Sequence, residues 1–390
     1  MYLVDSYHFY LPTKVFFGVD ALHRISEVLE KEDSSHVLII TDKGIVKAGL
    51  VDALEKKLND LNVIYNVFDE VEPNPKSSTI SKGLEMSKLH DSTLIIGLGG
   101  GSSIDTAKAI AIMRRNDGSI LDYEGVGLVV NNPLPTIMIP TTAGTGSEVT
   151  ASTIITDENT LFKMAIISEK IFPTYAIVDP VLTLGCPNFI ISSTGVDALT
   201  HAIESYLSKQ KNGIVSEIAL KAIKLINENI STSYFRGNDL QSNSRMLEAS
   251  MLAGMAFSQT RLGNVHAISQ SFGGLFNIPH GFANAVLLPY VLEFNYKAAV
   301  DDFCEIAKAM NLYQDSKTKN ENAYSVVERI LELNEELGIP KTTKDLGVDL
   351  EKLDVLIRDS MRSGNIHVNP RITSSEDIKE IIINSYEGKL

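Results

Sequence analysis

The stretch "STLIIGLGGGSSIDTAKAIAIMRR", Ser92 to Arg115, decides the fold. An apolar β-type run from Leu94 to Ile96 meets a glycine cluster at Gly97 and Gly99 to Gly101, and a helical pattern starts directly after it. Strand, glycine turn and helix in that order form half of a βαβ unit. Glycines let backbone N–H groups come close to a ligand, and a helix N-terminus adds partial positive charge, so the junction suits a pyrophosphate. The dinucleotide fingerprint is met in part. Gly97 and Gly99 fit, but Ser102 stands at the third place, and no strand ending in an acid follows about 20 residues later. A tight turn with no ligand is the alternative; three consecutive glycines weigh against it, because each costs conformational entropy on folding.

Working outward, the same alternation recurs on both sides. "HVLIIT" (His36 to Thr41), "VIYNVFD", "PTIMIPTT" (Pro135 to Thr142) and "YAIVDP" (Tyr175 to Pro180) read as strands, with helical patterns in "LVDALEKKLNDL" and "TISKGLEMSKL" between the early ones. Such alternation predicts a parallel sheet covered on both faces, with Tyr175 to Pro180 as its last strand. After about Leu182 the pattern changes. Helical periodicity marks Ile190 to Ser208, Ile214 to Asn229, Ser244 to Ser258, His266 to Phe276, Asp301 to Met310, Ala323 to Leu337 and Ser375 to Glu387. The expected fold class is therefore an α/β N-terminal dinucleotide-binding domain with a parallel sheet, residues 1–182, followed by an all-helical C-terminal domain, residues 183–390.

The bulk properties agree with two domains: 390 residues, 44% of them hydrophobic and 22% charged, is ordinary globular usage. A net charge of -14 opposes binding to a polyanion, so nucleic acid is not an expected partner. Cys186 and Cys304 are the only cysteines and have no metal or redox spacing, which suits a reducing cytoplasm. Asp5, His8 and Lys14 interrupt the apolar residues of the N-terminus, unlike a secretory signal, and no run approaches the roughly 18–20 apolar residues of a membrane span. The expectation is a cytoplasmic homo-oligomer, a dimer, with no membrane partner.

Two further segments bear on ligands in the first half. Asp42 in "LIITDKG" follows a strand end, where a carboxylate can hold ribose hydroxyls and repel a 2′-phosphate; an acid opening a turn is the alternative. "PTTAGTGSEVT" (Pro140 to Thr150) puts hydroxyls and glycines just past another strand, without the P-loop spacing.

The second half carries the titratable groups. In "GVDALTHAIESYLS" (Gly195 to Ser208), Asp197 and His201 stand at i and i+4, one above the other on one helix face. A solvated Asp–His pair would read the same way. "NVHAISQSFGGLFNIPHGFANAVLLP" (Asn264 to Pro289) adds His266 in a small-residue helical stretch and His280 in a Pro-His-Gly turn. Each of these alone could be a satisfied buried histidine. Taken together, one carboxylate and three imidazoles form a set suited to a divalent transition metal with room for a substrate oxygen.

The segments "GGGSSIDTAKAIA", "PTTAGTGSEVT", "GVDALTHAIESYLS" and "VHAISQSFGGLFNIPHGFANAVLLP", in this order and spacing, resemble the iron-containing (group III) alcohol dehydrogenase family over nearly the whole chain. The resemblance implies Asp197, His201, His266 and His280 as metal ligands, with iron the usual metal and zinc also compatible. It implies a cofactor site at Asp42, Asn74, Gly100, Gly101, Ser102, Asp105, Thr141, Thr142, Thr145 and Lys163, and a substrate pocket at Ser152 and Phe257. One position departs from it. Many members carry another histidine one helical turn after the third ligand, implicated in proton transfer; this chain has Gln270, which can hydrogen-bond but cannot titrate. "SGNIHVNPR" resembles a family segment that approaches the pocket, and its His367 is a candidate for the proton path.

These readings give an NAD-dependent, metal-dependent oxidoreductase interconverting a small primary alcohol and its aldehyde, the metal acting as Lewis acid and the nicotinamide carrying hydride. A lyase or cyclase resembling dehydroquinate synthase also uses NAD and a metal, but handles a phosphorylated substrate and calls for an Arg and Lys cluster that is not seen near the proposed ligands. A metal-dependent hydrolase would leave the two glycine and hydroxyl loops without a role, and a non-catalytic binding protein would not need an open metal site beside a dinucleotide site.

Overall fold

The computed structural model describes residues 6–390. Its first half contains nine strands: β1 (Lys14–Phe17), β2 (His36–Ile40), β3 (Ile64–Phe68), β4 (Leu94–Gly99), β5 (Gly125–Val126), β6 (Thr136–Pro140), β7 (Ser152–Asp157), β8 (Phe162–Ile167) and β9 (Tyr175–Val178). Six form one sheet in the order β1-β9-β6-β4-β2-β3, with every neighbouring pair parallel. Both faces are buried, as the unbroken apolar runs require. Leu38, Ile40, Ile95 and Met138 pack on one side against Ile104 and Ile110. Val37, Ile39, Leu94, Ile96 and Ile137 pack on the other against Leu54 and Leu58.

Two strand features go beyond the sequence reading. Tyr175–Val178 is the last strand along the chain, as that reading has it, but does not lie at the sheet edge, because β1 pairs outside it from Lys14↔Tyr175 to Phe17↔Val178. A second sheet, β5-β8-β7, includes the antiparallel hairpin that places Lys163 opposite Thr156. β7 and β8 are six residues each but do not alternate regularly between buried and half-buried positions, which gives weak periodicity.

The chain runs from β2 outward to β3, then returns to the other side of β2 for β4. This reversal opens a crevice at the carboxyl ends of β2 and β4, the place where open α/β sheets take ligands. Asp42 follows β2, and the Gly101–Met113 helix follows β4. Gly99 makes the turn at φ +146°, where a Cβ would also lie 2.7 Å from Ser103 Oγ.

From Asn188 onward the fold is helical. The Asn188–Leu207, Gly213–Arg236, Leu240–Thr260, Asn264–Phe276 and His280–Asn295 helices surround one core that includes Leu199, Ile203, Ile226, Ile268 and Leu287. The last of these helices corrects the reading of a Pro-His-Gly turn: Pro279, at φ -59°, is the cap, and His280 is the first helical residue. Apolar residues surround that helix on all sides, so it has no amphipathic stripe to reveal it, and Pro289 within it reads as a breaker. Among the described residues, no helix is long and apolar enough to cross a membrane.

Candidate metal and dinucleotide site

The Asn188–Leu207 helix crosses the helical core, so the face carrying Asp197 and His201 is buried, not solvated. The Asn264–Phe276 helix brings His266 and the His280–Asn295 helix brings His280. One ligand atom from each of the four residues lies within 4.8 Å of the others. Asp197 Oδ1 is 3.8 Å from Nε2 of both His201 and His266, and 4.0 Å from Nε2 of His280.

Hydrogen bonds at the far side of two rings set their tautomers. His266 Nδ1 meets Glu204 Oε2 at 2.7 Å, and His201 Nδ1 meets the Gly144 carbonyl at 3.2 Å. Acceptors at Nδ1 put the proton there and leave each Nε2 lone pair facing the centre, the orientation that outer carboxylates and carbonyls impose on metal-ligating histidines. Burial depresses His201 to about 4 and His280 to about 3, so both rings are neutral near pH 7. Burial pushes Asp197 upward, but at the acid pH where it titrates the charge of the surrounding imidazoles, once protonated, and the Asn284 amide outweigh burial and hold its carboxyl below the usual range. Facing lone pairs and one carboxylate oxygen converge here, with Asp197, His201 and His266 buried and His280 partly exposed to the cavity, and fit a divalent metal such as iron.

Two residues of this centre were not picked out from the sequence. Glu204 also accepts from Val265 N at 2.7 Å, which fixes the start of the helix that carries His266. Asn284 Nδ2 donates to Asp197 Oδ1 at 2.6 Å and lies 3.0 Å from Nε2 of both His266 and His280. The signal was present as spacing: Asp197, His201 and Glu204 stand at i, i+4 and i+7, and His280 and Asn284 at i and i+4.

The proposed cofactor residues divide between two adjoining cavities. A long groove of about 1250 Å³ is lined by Asp42, Gly100, Gly101, Ser102, Thr141 and Thr142. A deeper cavity of about 280 Å³ is lined by Asn74, Gly101, Ser102, Asp105, Thr145 and Lys163 together with Asp197, His201, His266 and His280. Gly101 and Ser102 border both, at the N-terminus of the Gly101–Met113 helix. Ser152, Phe257 and Gln270 also line the deeper cavity, and the Phe257 ring stacks on His201 at 4.6 Å between centroids.

Individual carboxylates are partly committed to the fold. Asp42 Oδ1 caps its own helix, accepting from Gly44 N at 2.8 Å and Ile45 N at 3.1 Å, while Oδ2 has, among the described residues, only Ser103 Oγ at 3.4 Å. Asp105 accepts from Ser147 Oγ and from Ile154 N, so its carboxylate braces the Gly146–Thr150 loop and β7. Lys108, fully buried one turn on, donates to Ser147 Oγ, the Thr150 carbonyl and hydroxyl, and the Ser152 carbonyl at 2.9–3.1 Å. Burial lowers it to about 8, and lowers Lys163 to about 8 against the attraction of Asp197.

His367 is not brought to the site. It lies in the short Gly364–Val368 helix and is exposed, while Ser363, Gly364 and Asn365 of the same segment line the deeper cavity. A tight helical turn sends successive side chains in different directions, so a segment can reach the cavity while its histidine faces solvent.

A crevice for a dinucleotide joined to a largely buried three-histidine, one-carboxylate centre defines a metal-dependent oxidoreductase. Residues 12–180 match the model of the iron-containing alcohol dehydrogenases, and residues 191–386 match the C-terminal model of the Fe-containing alcohol dehydrogenase family. Alcohol dehydrogenase 4 of Saccharomyces cerevisiae is 39% identical over 97% of this chain and 98% of its own. The crystal structure of a 1,3-propanediol oxidoreductase superposes with a TM-score of 0.95 at 35% identity, covering 98% of this chain and 100% of that one. Sulfoacetaldehyde reductase from Bifidobacterium kashiwanohense, in complex with NAD+, does so with a TM-score of 0.88 at 29% identity, covering 98% and 99%. The chain belongs to the iron-containing alcohol dehydrogenase family, and its cofactors are NAD and iron.

Proposed function

We propose that this NAD-dependent alcohol dehydrogenase interconverts a short primary alcohol and its aldehyde in the deeper cavity, with Asp197, His201, His266 and His280 as the metal ligands. The convergence of these four ligand atoms beside a groove that shares Gly101 and Ser102 supports this reading most directly. The names of relatives, an alcohol dehydrogenase, a 1,3-propanediol oxidoreductase and a sulfoacetaldehyde reductase, support a short substrate. Bound iron supplies Lewis acidity toward the substrate oxygen, and bound NAD supplies the hydride acceptor.

The remaining work belongs to the chain. The N–H groups at Gly101 and Ser102 face the pyrophosphate at a helix N-terminus, and Asp42 Oδ2 accepts from ribose hydroxyls while repelling a 2′-phosphate. Lys163 Nζ, shifted to about 8 by burial, can hold or release a proton close to neutral pH at the wall of the deeper cavity. Phe257 and Leu262 keep the cavity wall dry. Gln270 orients polar groups there without titrating.

We also propose a division at residues 182 and 183, and a cytoplasmic dimer. Free thiols at Cys186 and Cys304 support the location, and the outer edge of β1, with Phe17 exposed, supports pairing there.

The test is NADH or NADPH oxidation with a panel of C2–C4 aldehydes. Turnover with NADH is expected to exceed that with NADPH. Because Asp42 also caps a helix, Asp42→Asn is the informative variant: it keeps the cap acceptor, removes the charge, and should narrow the preference by roughly tenfold. Equal efficiency with both cofactors in the unmodified protein would refute the role of Asp42. No aldehyde turnover with either would refute the substrate assignment.

A further inference from the structure

Arg261 stands at the end of the Leu240–Thr260 helix with φ +61° and ψ -171°, a backbone conformation that L side chains rarely adopt and glycine adopts freely. A residue kept in such a conformation beside a site is a reason to ask what its side chain does. The side chain lines the deeper cavity, one helical turn beyond Phe257, which itself stacks on His201. On the opposite wall the guanidinium passes over Gly364, where any Cβ would collide with Nη1. Gly364 thus leaves the room the guanidinium takes, and Asn365 Oδ1 ties that wall to Leu262 N at 3.4 Å.

Among the described residues, the Arg261 guanidinium has no ion pair, no side-chain hydrogen bond and no ring stacked beneath it, in contrast to Arg371, which has Asp377, the Phe294 carbonyl and the Phe294 ring. The carboxylates that share the cavity do not compensate it. Asp105 is occupied by Ser147 and Ile154, and Asp197 belongs to the metal centre. A planar fork of donors facing a cavity, unmatched by protein acceptors, is complementary to a carboxylate, sulfonate or phosphate oxygen pair. Its place within a chain of net charge -14 makes the cavity a local exception to the acidic body.

We infer that Arg261 recognises a compact anionic group at the end of the substrate remote from the reacting carbon, so that the favoured substrates are short aldehydes bearing an acidic group. This rests on the dehydrogenase reading and specifies its substrate class. The reaction is unchanged: aldehyde, NADH and one proton give alcohol and NAD+. Arg261 lines the cavity that holds Asp197, His201, His266 and His280 and does not line the groove holding Asp42 and Gly100, which places it on the side where the substrate binds.

The experiment compares matched pairs with the iron-loaded enzyme: butanal against 4-oxobutanoate, and propanal against sulfoacetaldehyde, in the unmodified protein and in Arg261→Gly and Arg261→Lys. The two acidic aldehydes separate carboxylate from sulfonate recognition. The expected result is that the unmodified protein favours at least one acidic aldehyde over its neutral match. Arg261→Gly should lower that kcat/KM ratio by roughly 100-fold through KM, with Lys restoring part of it and the KM for NADH unmoved. Butyrate should compete with butanal in the unmodified protein and lose most of its potency in Arg261→Gly. Glycine suits the backbone there, so thermal stability should hold or rise. Preference for the neutral aldehydes, or a ratio unmoved in Arg261→Gly, overturns the inference while leaving the dehydrogenase reading intact. No turnover of any of the four overturns both.

Discussion

On the sheet side of the cleft, Gly100, Gly101 and Ser102 present backbone groups of one strand-to-helix turn to a groove of about 1250 Å³. On the helical side, Asp197, His201, His266 and His280 arrive from three helices, and their ligand atoms meet within 4.8 Å. The first arrangement is local: a single turn sets its geometry, and water or a phosphate can satisfy the same N–H groups. The second is distributed, since each ring must be buried, aimed and given the right tautomer by residues far away in sequence. Loss of one side chain on the sheet side leaves most contacts in place, whereas loss of one on the helical side leaves facing lone pairs with too few ligands.

The sharpest way to break this contrast is to remove a ligand. His201→Ala and His280→Ala should each lose most bound iron and lower turnover by two orders of magnitude or more, while circular dichroism shows the fold intact and NADH binding persists. Direct metal analysis checks this; normal iron content in both variants would show that the four residues do not form the site. A subtler change tests whether tautomers are set from outside. Glu204 accepts from both His266 Nδ1 and Val265 N, and Gln can offer only one oxygen where two acceptors are needed. Glu204→Gln should weaken iron binding by roughly 10- to 100-fold without touching the metal, as loss of an outer partner does elsewhere. An unchanged iron affinity, measured by competition with a chelator, would mean that packing alone holds the ring.

The smallest effect concerns the loop between the two sides. Glu148, buried with Oε1 unbonded, is raised by burial to about 7 from its ordinary 4.5, with Lys108 opposing the shift. A folded value above the unfolded one means that the folded state holds the proton more tightly. That contribution is fully present below about pH 4.5 and is lost as pH rises through about 7. Glu148→Gln should flatten the fall of stability between those limits, on the order of 3 kcal/mol, read from denaturant midpoints at several pH values. Equal slopes in both proteins would place the loop's pH response elsewhere.

Much of this was legible in the linear chain. Apolar runs alternating with helical patterns announced the parallel sheet, and the spacing of Asp197 and His201 put a carboxylate and an imidazole on one helix face. Runs of buried residues in strand and helix carry periods that geometry imposes locally, so they survive as sequence signals. What escaped lacked such a period: β1 is four residues long, and the His280–Asn295 helix is apolar all round.

For the site, the sequence by itself determined the inventory: the glycine turn, Asp42 at a strand end, and the residue types suited to a metal. Only the tertiary structure decided which of these meet. It buried the Asp197 face that could equally have been solvated, supplied Glu204 and Asn284 as partners, and turned His367 outward while bringing Arg261 to the cavity wall. The physical reason is that one turn fixes spacing along a single element, whereas convergence of side chains depends on how helices cross and which rotamers their packing leaves open.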